Sequence, residues 1–423
     1  MQIYLVGGAV RDRLLGRPVQ ERDWVVVGGT PAGLEALGYR RVGQAFPVYL
    51  HPETGEEYAL ARTETKTSPG YRGFDVRSDP RVTLPEDLHR RDLTINAMAQ
   101  DAAGVITDPY GGRADLEGRV LRHISAAFRE DPVRILRVAR FAARFAQLGF
   151  TVAPETMQLM REMVAAGEAH HLVAERVWQE TAKALAESRP EVFVEVLRDC
   201  GALAVVFPEL DALFGVPQPE QWHPEVDTGV HLLLALREAA RLSDSPEVRF
   251  AVLVHDLGKG TTPQAEWPRH RGHEERSVRL TRELCQRIGV PNRFRDLGIA
   301  VARYHGVVHR AMELRPLTIL RVLEGIDAFR RPERLGEFLA ACEADHRGRT
   351  GRESEPYPQG ALFRAAWERA RGVVAAPFVA QGLKGEALGQ AVRRERVIAI
   401  TAVRSGFPGR LPAARADDGD PAP

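Results

Sequence analysis

The chain has little with which to staple itself covalently and nothing with which to enter a lipid bilayer. Its 423 residues hold three cysteines, Cys200, Cys285 and Cys342, scattered and without CxxC spacing. That excludes a disulfide framework and a thiolate metal knuckle, and the three read as reduced cytoplasmic thiols. No apolar run reaches about 18 residues, so no membrane span is expected. The N-terminus passes straight into an apolar strand without a charged leader, so no secretory signal is expected either. Lysine is scarce: Lys66, Lys183, Lys259 and Lys384 are the four present, and nearly all other positive charge is arginine. The formal charge of +1 excludes a chain that is basic throughout, yet a basic stripe on one face would suffice for nucleic acid. Guanidinium groups suit phosphates and base edges. An apolar fraction of 44% over this length supports ordinary packed cores in more than one domain.

What is there begins with the first 28 residues, MQIYLVGGAVRDRLLGRPVQERDWVVVG. Ile3 to Val6 reads as a buried strand. Gly7 and Gly8 follow, and Ala9 to Leu15 reads as a helix. A strand that ends in Gly-Gly and opens a helix lets backbone N–H groups approach a phosphate closely. Arg11 and Arg13 add charge suited to bidentate phosphate contact. After Gly16-Arg17-Pro18, Glu21 and Asp23 stand two apart at the mouth of a second strand, Trp24 to Val27. Residues two apart on a strand share a face. Paired carboxylates facing a phosphate-binding turn make a Mg²⁺ site for nucleotide chemistry.

LVGGAVRD followed by ERDWVVVG resembles the head motif of the bacterial (class II) tRNA nucleotidyltransferases, the CCA-adding enzymes, with Glu21 standing where that family has Asp. The resemblance runs to about Ala402 and is closest to the subgroup that carries an HD domain. It implies an α+β chain: a nucleotidyltransferase-type mixed-sheet head, then an all-helical neck and body, then a helical HD domain. Thr65 to Arg81, rich in Gly, Pro and Ser, reads as a mobile loop over the site. In RRDLTINA the resemblance gives Arg91 to the nucleotide and Asp92 to the ribose 2′-OH, with Gly8 and Arg11 in the same nucleotide site.

Asp131 and Pro132 read as N-cap and first residue of a helix. The stretch EDPVRILRVARF matches the family's EDxxRxxRxxRF in full. One carboxylate beside one guanidinium complements the donor–acceptor edge of both cytosine and adenine, and meets guanine and uracil with the wrong partners. Asp131 with Arg134 is thus expected to choose C and A without a template, and the resemblance adds Arg137 and Arg140 to the nucleotide contacts.

A second site is written further along. His255-Asp256 follows four apolar residues and precedes Leu-Gly-Lys, which resembles HD-type phosphohydrolases. The resemblance implies His231, His255, Asp256 and Asp345 as ligands of a divalent ion. Imidazole ligands suit a transition metal such as Ni²⁺, Co²⁺ or Mn²⁺ better than Mg²⁺, and Ni²⁺ is the expected occupant. His270, His273 and His305 are candidates for a second ion or for phosphate.

The expected divisions are a head at 1–127, a neck and body at 128–226, an HD domain at 227–346, a helical region at 347–404 and a disordered tail at 405–423. The implied partners are tRNA, CTP and ATP, with no membrane, and the implied assembly is a monomer or homodimer. The rivals are a poly(A) polymerase, which shares the head motifs, and an RNA chaperone with an inert head.

Overall fold

The computed structural model describes residues 1–43, 48–66 and 74–407, and the chain divides into two compact units, Met1–Pro208 and Glu209–Pro423. The tail beyond residue 407 and the tip of the predicted loop at 67–73 lie outside the described residues.

The first unit begins with a mixed sheet. Its strands are β1 (Gln2–Val6), β2 (Asp23–Val27), β3 (Arg40–Val42), β4 (Val48–Leu50) and β5 (Glu57–Leu60). Beyond them come β6 (Arg62–Lys66), β7 (Phe74–Ser78), β8 (Ala99–Gln100) and β9 (Ile106–Thr107). Among the described residues the large sheet runs in the order β3-β4-β5-β2-β1-β8-β9. β2 is central and apolar because both of its faces are covered: Val25 and Val27 pack on one side, Trp24 and Val26 on the other. The period of two is visible in that split. β2 runs antiparallel to β1 and parallel to β5.

One sequence expectation gives way here. On either side of 67–73, the described parts of the predicted mobile loop from Thr65 to Arg81 enter paired strands, β6 against β7, from Arg62–Ser78 to Lys66–Phe74. The Gly and Pro that suggested a loop sit mostly at 67–73. Between β5 and β6 the chain breaks at Ala61, whose two sides enter different sheets.

The rest of this unit is mainly helical. The Val133–Phe145 helix packs on the Ala174–Ala186 and Pro190–Asp199 helices. It starts one residue later than expected, with Pro132 as N-cap. Asp131 still serves it, because its Oδ1 accepts from the Val133 N–H at 3.1 Å.

The second unit is helical around the Pro246–Val254 helix, in which Val248 to Val254 are all buried. A helix apolar on every side has to be a core helix, and each such Val, Leu or Phe contributes about 1.5–3 kcal/mol. Ser245 caps it, with Oγ accepting from the Val248 N–H, and its C-terminal end delivers His255-Asp256. The Thr228–Leu242, Asn292–His309 and Pro332–Arg347 helices pack around it. A turn of 3₁₀ helix, Leu257–Thr261, then lies on the His273–Ile288 helix. That approach depends on Gly258: a Cβ there would stand 2.1 Å from the His273 carbonyl oxygen and 2.7 Å from the Ser277 nitrogen.

Gly258→Ala should therefore destabilise the second unit by about 1–3 kcal/mol. Gly336→Ala should stabilise it by about 0.5–1 kcal/mol, because Gly336 lies inside the Pro332–Arg347 helix with nothing within 4 Å of an added Cβ. Thermal melts of the two variants that moved in the same direction would contradict this packing.

Candidate functional site

In the first unit, β1 ends at Val6, which pairs directly with Asp23 across the sheet. The carboxylate of Asp23 therefore starts its strand beside the Gly7-Gly8 turn. Gly7 has φ +65°, and an added Cβ there would stand 2.8 Å from Arg91 Nη1. Gly is needed both for the left-handed backbone and for the guanidinium lying against it. Arg91 is anchored by Asp87, Nη2 to Oδ2 at 3.5 Å. Withdrawal from water pushes the Asp23 carboxyl above its ordinary range, with Arg91 opposing and Glu21 adding to the rise. Glu21 is close enough to be felt, but it lies two residues ahead of β2, exposed and outside the strand. The shared face expected from strand alternation is therefore not what relates Glu21 to Asp23.

Arg11 departs further from expectation. Its side chain is buried, donating from Nε to Asp12 at 2.9 Å and from Nη1 to Asn96 at 2.6 Å. Its guanidinium also lies about 5 Å from the rings of Phe141 and Phe145. It ties the first helix to the helical part of the unit. Gly8 adjoins it: an added Cβ would meet Arg11 Nη2 at 3.4 Å.

Asp92 is buried and fully engaged. Oδ1 accepts from the Leu93 N–H and from Asn96 Nδ2, and Oδ2 from Arg137 Nε at 2.7 Å. Burial raises this carboxyl, but Arg137 and the donors hold it well below the carboxylate range. Arg140 donates to Glu180 at 2.6 Å, both side chains being buried. Asp131 and Arg134 are placed on one short stretch, and each is held by further partners. Asp131 is gripped by Arg176 through two bonds, 3.0 and 2.8 Å. Arg134 donates to the carbonyls of Ala127 and Arg90 at 2.8 and 2.6 Å. A carboxylate oxygen has a second lone pair, so Asp131 keeps acceptor capacity beyond Arg176. Arg176 and Glu180 escaped the sequence reading because nothing local marks them: they meet their partners 45 and 40 positions away.

In the second unit all four sequence-predicted ligands meet. His231, His255, Asp256 and Asp345 are almost entirely buried. His231 Nε2 stands 3.0 Å from Asp345 Oδ1. His255 Nε2 stands 3.2 Å from Asp256 Oδ2 and 3.8 Å from Asp345 Oδ1. His255 and His305 each donate Nδ1–H to a backbone carbonyl, of Val252 and Val301, at 2.7 and 2.9 Å. His273 does the same to the carbonyl of its neighbour His270, at 2.8 Å. Those bonds fix the tautomer and leave the Nε2 lone pairs facing the cluster. His255 Nε2, Asp256 Oδ1 and His273 Nε2 are buried atoms without a hydrogen-bond partner. Lone pairs gathered this closely without donors are what a cation satisfies.

The charges agree. Burial pushes His255 down, but Asp256 and Asp345 carry it above its ordinary value. Burial pushes both aspartates up, and the groups around them, His255 and Lys259 at Asp256 and His309 and His231 at Asp345, hold them far below the ordinary carboxylate value. His273 and His305 face Asp256 Oδ1 at 3.4 and 3.5 Å. His270 does not join them: its two nitrogens are taken by Thr262 Oγ1 and the Pro217 carbonyl. His309, missed from sequence, donates to Asp345 Oδ2 at 2.5 Å and accepts from Tyr357 at 3.2 Å. Its burial takes it down to about 4, which keeps it neutral in this role.

With this geometry in view, the comparisons are coherent. Residues 3–122 match the family described as poly A polymerase head domain. Residues 149–214 match the probable RNA and SrmB-binding site of polymerase A, and residues 228–335 match the HD domain. Fold and sites together define a nucleotidyltransferase joined to an HD-type metal domain. A multifunctional CCA protein of Thioalkalivibrio sulfidiphilus is 64% identical over 97% of this chain and 100% of its own. That of Nitrosococcus oceani is 62% identical over 95% and 98%. The chain belongs to the family of multifunctional CCA proteins. Among solved structures, a CCA-adding enzyme in an apo form matches with TM-score 0.66 at 20% identity, over 98% of this chain and 89% of its own. A Thermotoga maritima CCA-adding enzyme complexed with tRNA matches with TM-score 0.62 at 18% identity, over 96% and 91%. These two likenesses speak for the fold.

The buried pair of Arg140 and Glu180 makes a direct prediction. Glu180→Ala leaves a guanidinium buried without its carboxylate and should cost the first unit about 3–5 kcal/mol. Urea unfolding that shows less than about 1 kcal/mol would mean that Arg140 is satisfied otherwise.

Proposed function

We propose that this protein adds C, C and A to the 3′ end of tRNA from CTP and ATP, releasing pyrophosphate, and that its HD centre separately hydrolyses small phosphoesters. The observation that carries the first part is Asp23 set opposite Val6, beside the Gly7-Gly8 turn and Arg91. Relatives at about 60% identity and near-complete coverage support it.

In the head, Glu21 and Asp23 would hold Mg²⁺. Two hard carboxylates suit that ion, and the substrate's phosphates would complete its shell. When bound, the ion stabilises charge on the reacting phosphate and the departing pyrophosphate. The turn's backbone N–H groups and Arg91 neutralise the triphosphate. Asp92 and Arg137, locked together, shape the sugar pocket. Asp131 and Arg134 present one acceptor and one donor to the base edge, and Arg176 and the two backbone carbonyls keep each in place. Arg140 acts one layer further back, through Glu180, and Arg11 beneath the turn.

In the second unit, His231, His255, Asp256 and Asp345 would hold a transition-metal ion, with Ni²⁺ the proposed occupant. His273 and His305 extend the donor set toward a second position. Such an ion makes hydroxide available near neutral pH. Lys259, 2.6 Å from Asp256, brings a fixed cation to the phosphoester side. The proposed substrates are 2′,3′-cyclic nucleotides and nucleoside 2′-phosphates, the place of action is the cytoplasm, and the assembly is a monomer or homodimer. No helix among the described residues is long and apolar enough to cross a membrane.

Two predictions separate the sites. Asp23→Ala should lower CTP and ATP incorporation on tRNA lacking its 3′ end by orders of magnitude and leave phosphoester hydrolysis intact, whereas His255→Ala should do the reverse. Loss of both activities in either variant would contradict independent centres, and a long A tail from the unaltered protein would favour poly(A) synthesis. Asp131→Ala or Arg134→Ala should lower discrimination against UTP and GTP by about 1–3 kcal/mol, as expected for losing half of a two-point readout. Unchanged nucleotide choice in both variants would place base selection elsewhere.

A further inference from the structure

The turn from Pro217 to Asp227 closes on itself and is tied to the HD centre at two points. Pro217 bridges to Asp227, and the Gln218 N–H donates to the Val226 carbonyl at 2.7 Å. On one side, Gln218 Oε1 accepts from Lys259 Nζ at 2.6 Å. On the other, Glu225 Oε1 lies 2.9 Å from His223 Nδ1 and 3.0 Å from His231 Nδ1. The segment is therefore held by the groups that hold the metal ligands.

An ammonium donates only, so Lys259 fixes which way the Gln218 amide faces. The oxygen is toward Lys259, and Nε2 is left as a buried donor with no partner. Gln218 lines a cavity of about 630 Å³ together with Lys259, His273 and His309. Trp222, on the same turn, also lines it and is 56% exposed. An indole offers more apolar area to burial than most side chains. Keeping it open on the lip of a polar cavity, on a braced turn, points to a flat ligand that covers it.

We propose that this turn is the nucleoside-recognition element of the HD pocket. Trp222 stacks on the base, and Gln218 Nε2 donates to a sugar or phosphate oxygen of a phosphoester whose phosphorus lies at the His/Asp centre. The proposal rests on reading that centre as a phosphohydrolase of nucleoside phosphates and adds the residues that hold the nucleoside, with little preference among bases, because stacking reads the face of a base and not its edge.

The test compares full-length protein with its Trp222→Ala and Trp222→Phe variants, which are changed at an exposed position and should fold. Calorimetry without added metal gives Kd for adenosine 2′-phosphate and uridine 2′-phosphate, and assays with Ni²⁺ give KM and kcat for the matching 2′,3′-cyclic phosphates. Inorganic phosphate as inhibitor is the base-free control. Trp222→Ala should raise Kd and KM at least about fivefold for both bases, the low end for lost stacking. Its kcat and inhibition by phosphate should hold, and Trp222→Phe should recover most of the loss. Unchanged Kd and KM in Trp222→Ala, or an equal weakening toward inorganic phosphate, would overturn the proposal. A Kd that rises in Trp222→Ala while no metal supports hydrolysis would uphold nucleoside recognition and remove the phosphohydrolase reading instead.

Discussion

A carboxylate withdrawn from water must be met by donors or positive charge, or it unfolds the region around it. Both units are built on that requirement. In the first, Asp87, Asp92, Asp131 and Glu180 are each met by arginine, from Arg90, Arg137, Arg176 and Arg140 respectively. In the second, Asp256 and Asp345 are met chiefly by imidazoles, with Lys259 at Asp256 and Arg349 3.7 Å from Asp345 Oδ1. The difference in partner decides what each unit can do. Guanidinium groups saturate a carboxylate and leave a rigid, charged wall suited to a nucleotide. Imidazoles held by backbone carbonyls bring lone pairs instead, and lone pairs beside carboxylates call for a cation.

The same requirement explains why some residues that look functional serve another purpose. Arg11 follows the Gly-Gly turn where a phosphate ligand would stand, yet two of its donors go to Asp12 and Asn96 beside two phenylalanines. Arg140 belongs to a regular run of arginines along one helix, yet it is buried against Glu180. Arg11 thereby ties the first helix to Asn96, and Arg140 ties its own helix to Glu180. Arg91 is the contrasting case. It lies over Gly7, where only a missing side chain makes room, and so stays at the turn where charge is useful.

What was legible in the sequence was local in the chain. The head class could be read because strand, Gly-Gly turn and acidic strand start fall within 28 residues, and the metal pair because His255 and Asp256 are adjacent. The approach of Asp345 to His231, 114 positions apart, followed from family resemblance and not from spacing. Arg176, Glu180, Glu225 and His309 could not be found from sequence, because each acts on a partner brought to it by helix packing. The pairing of β6 with β7 was hidden by the small and polar residues that lie between them in the sequence. The position of Glu21 was misjudged because strand alternation was extended two residues beyond the strand's true start.

The central claim is that the buried His/Asp cluster of the second unit is a transition-metal site distinct from the carboxylate pair of the head. Anomalous X-ray scattering at the nickel edge, on crystals of the full-length protein grown with Ni²⁺, tests it most directly. The account predicts an anomalous peak at bonding distance from His231 and His255 Nε2 and from Asp256 and Asp345, with none beside Asp23. A cluster without a peak, or a peak confined to the head, would contradict it.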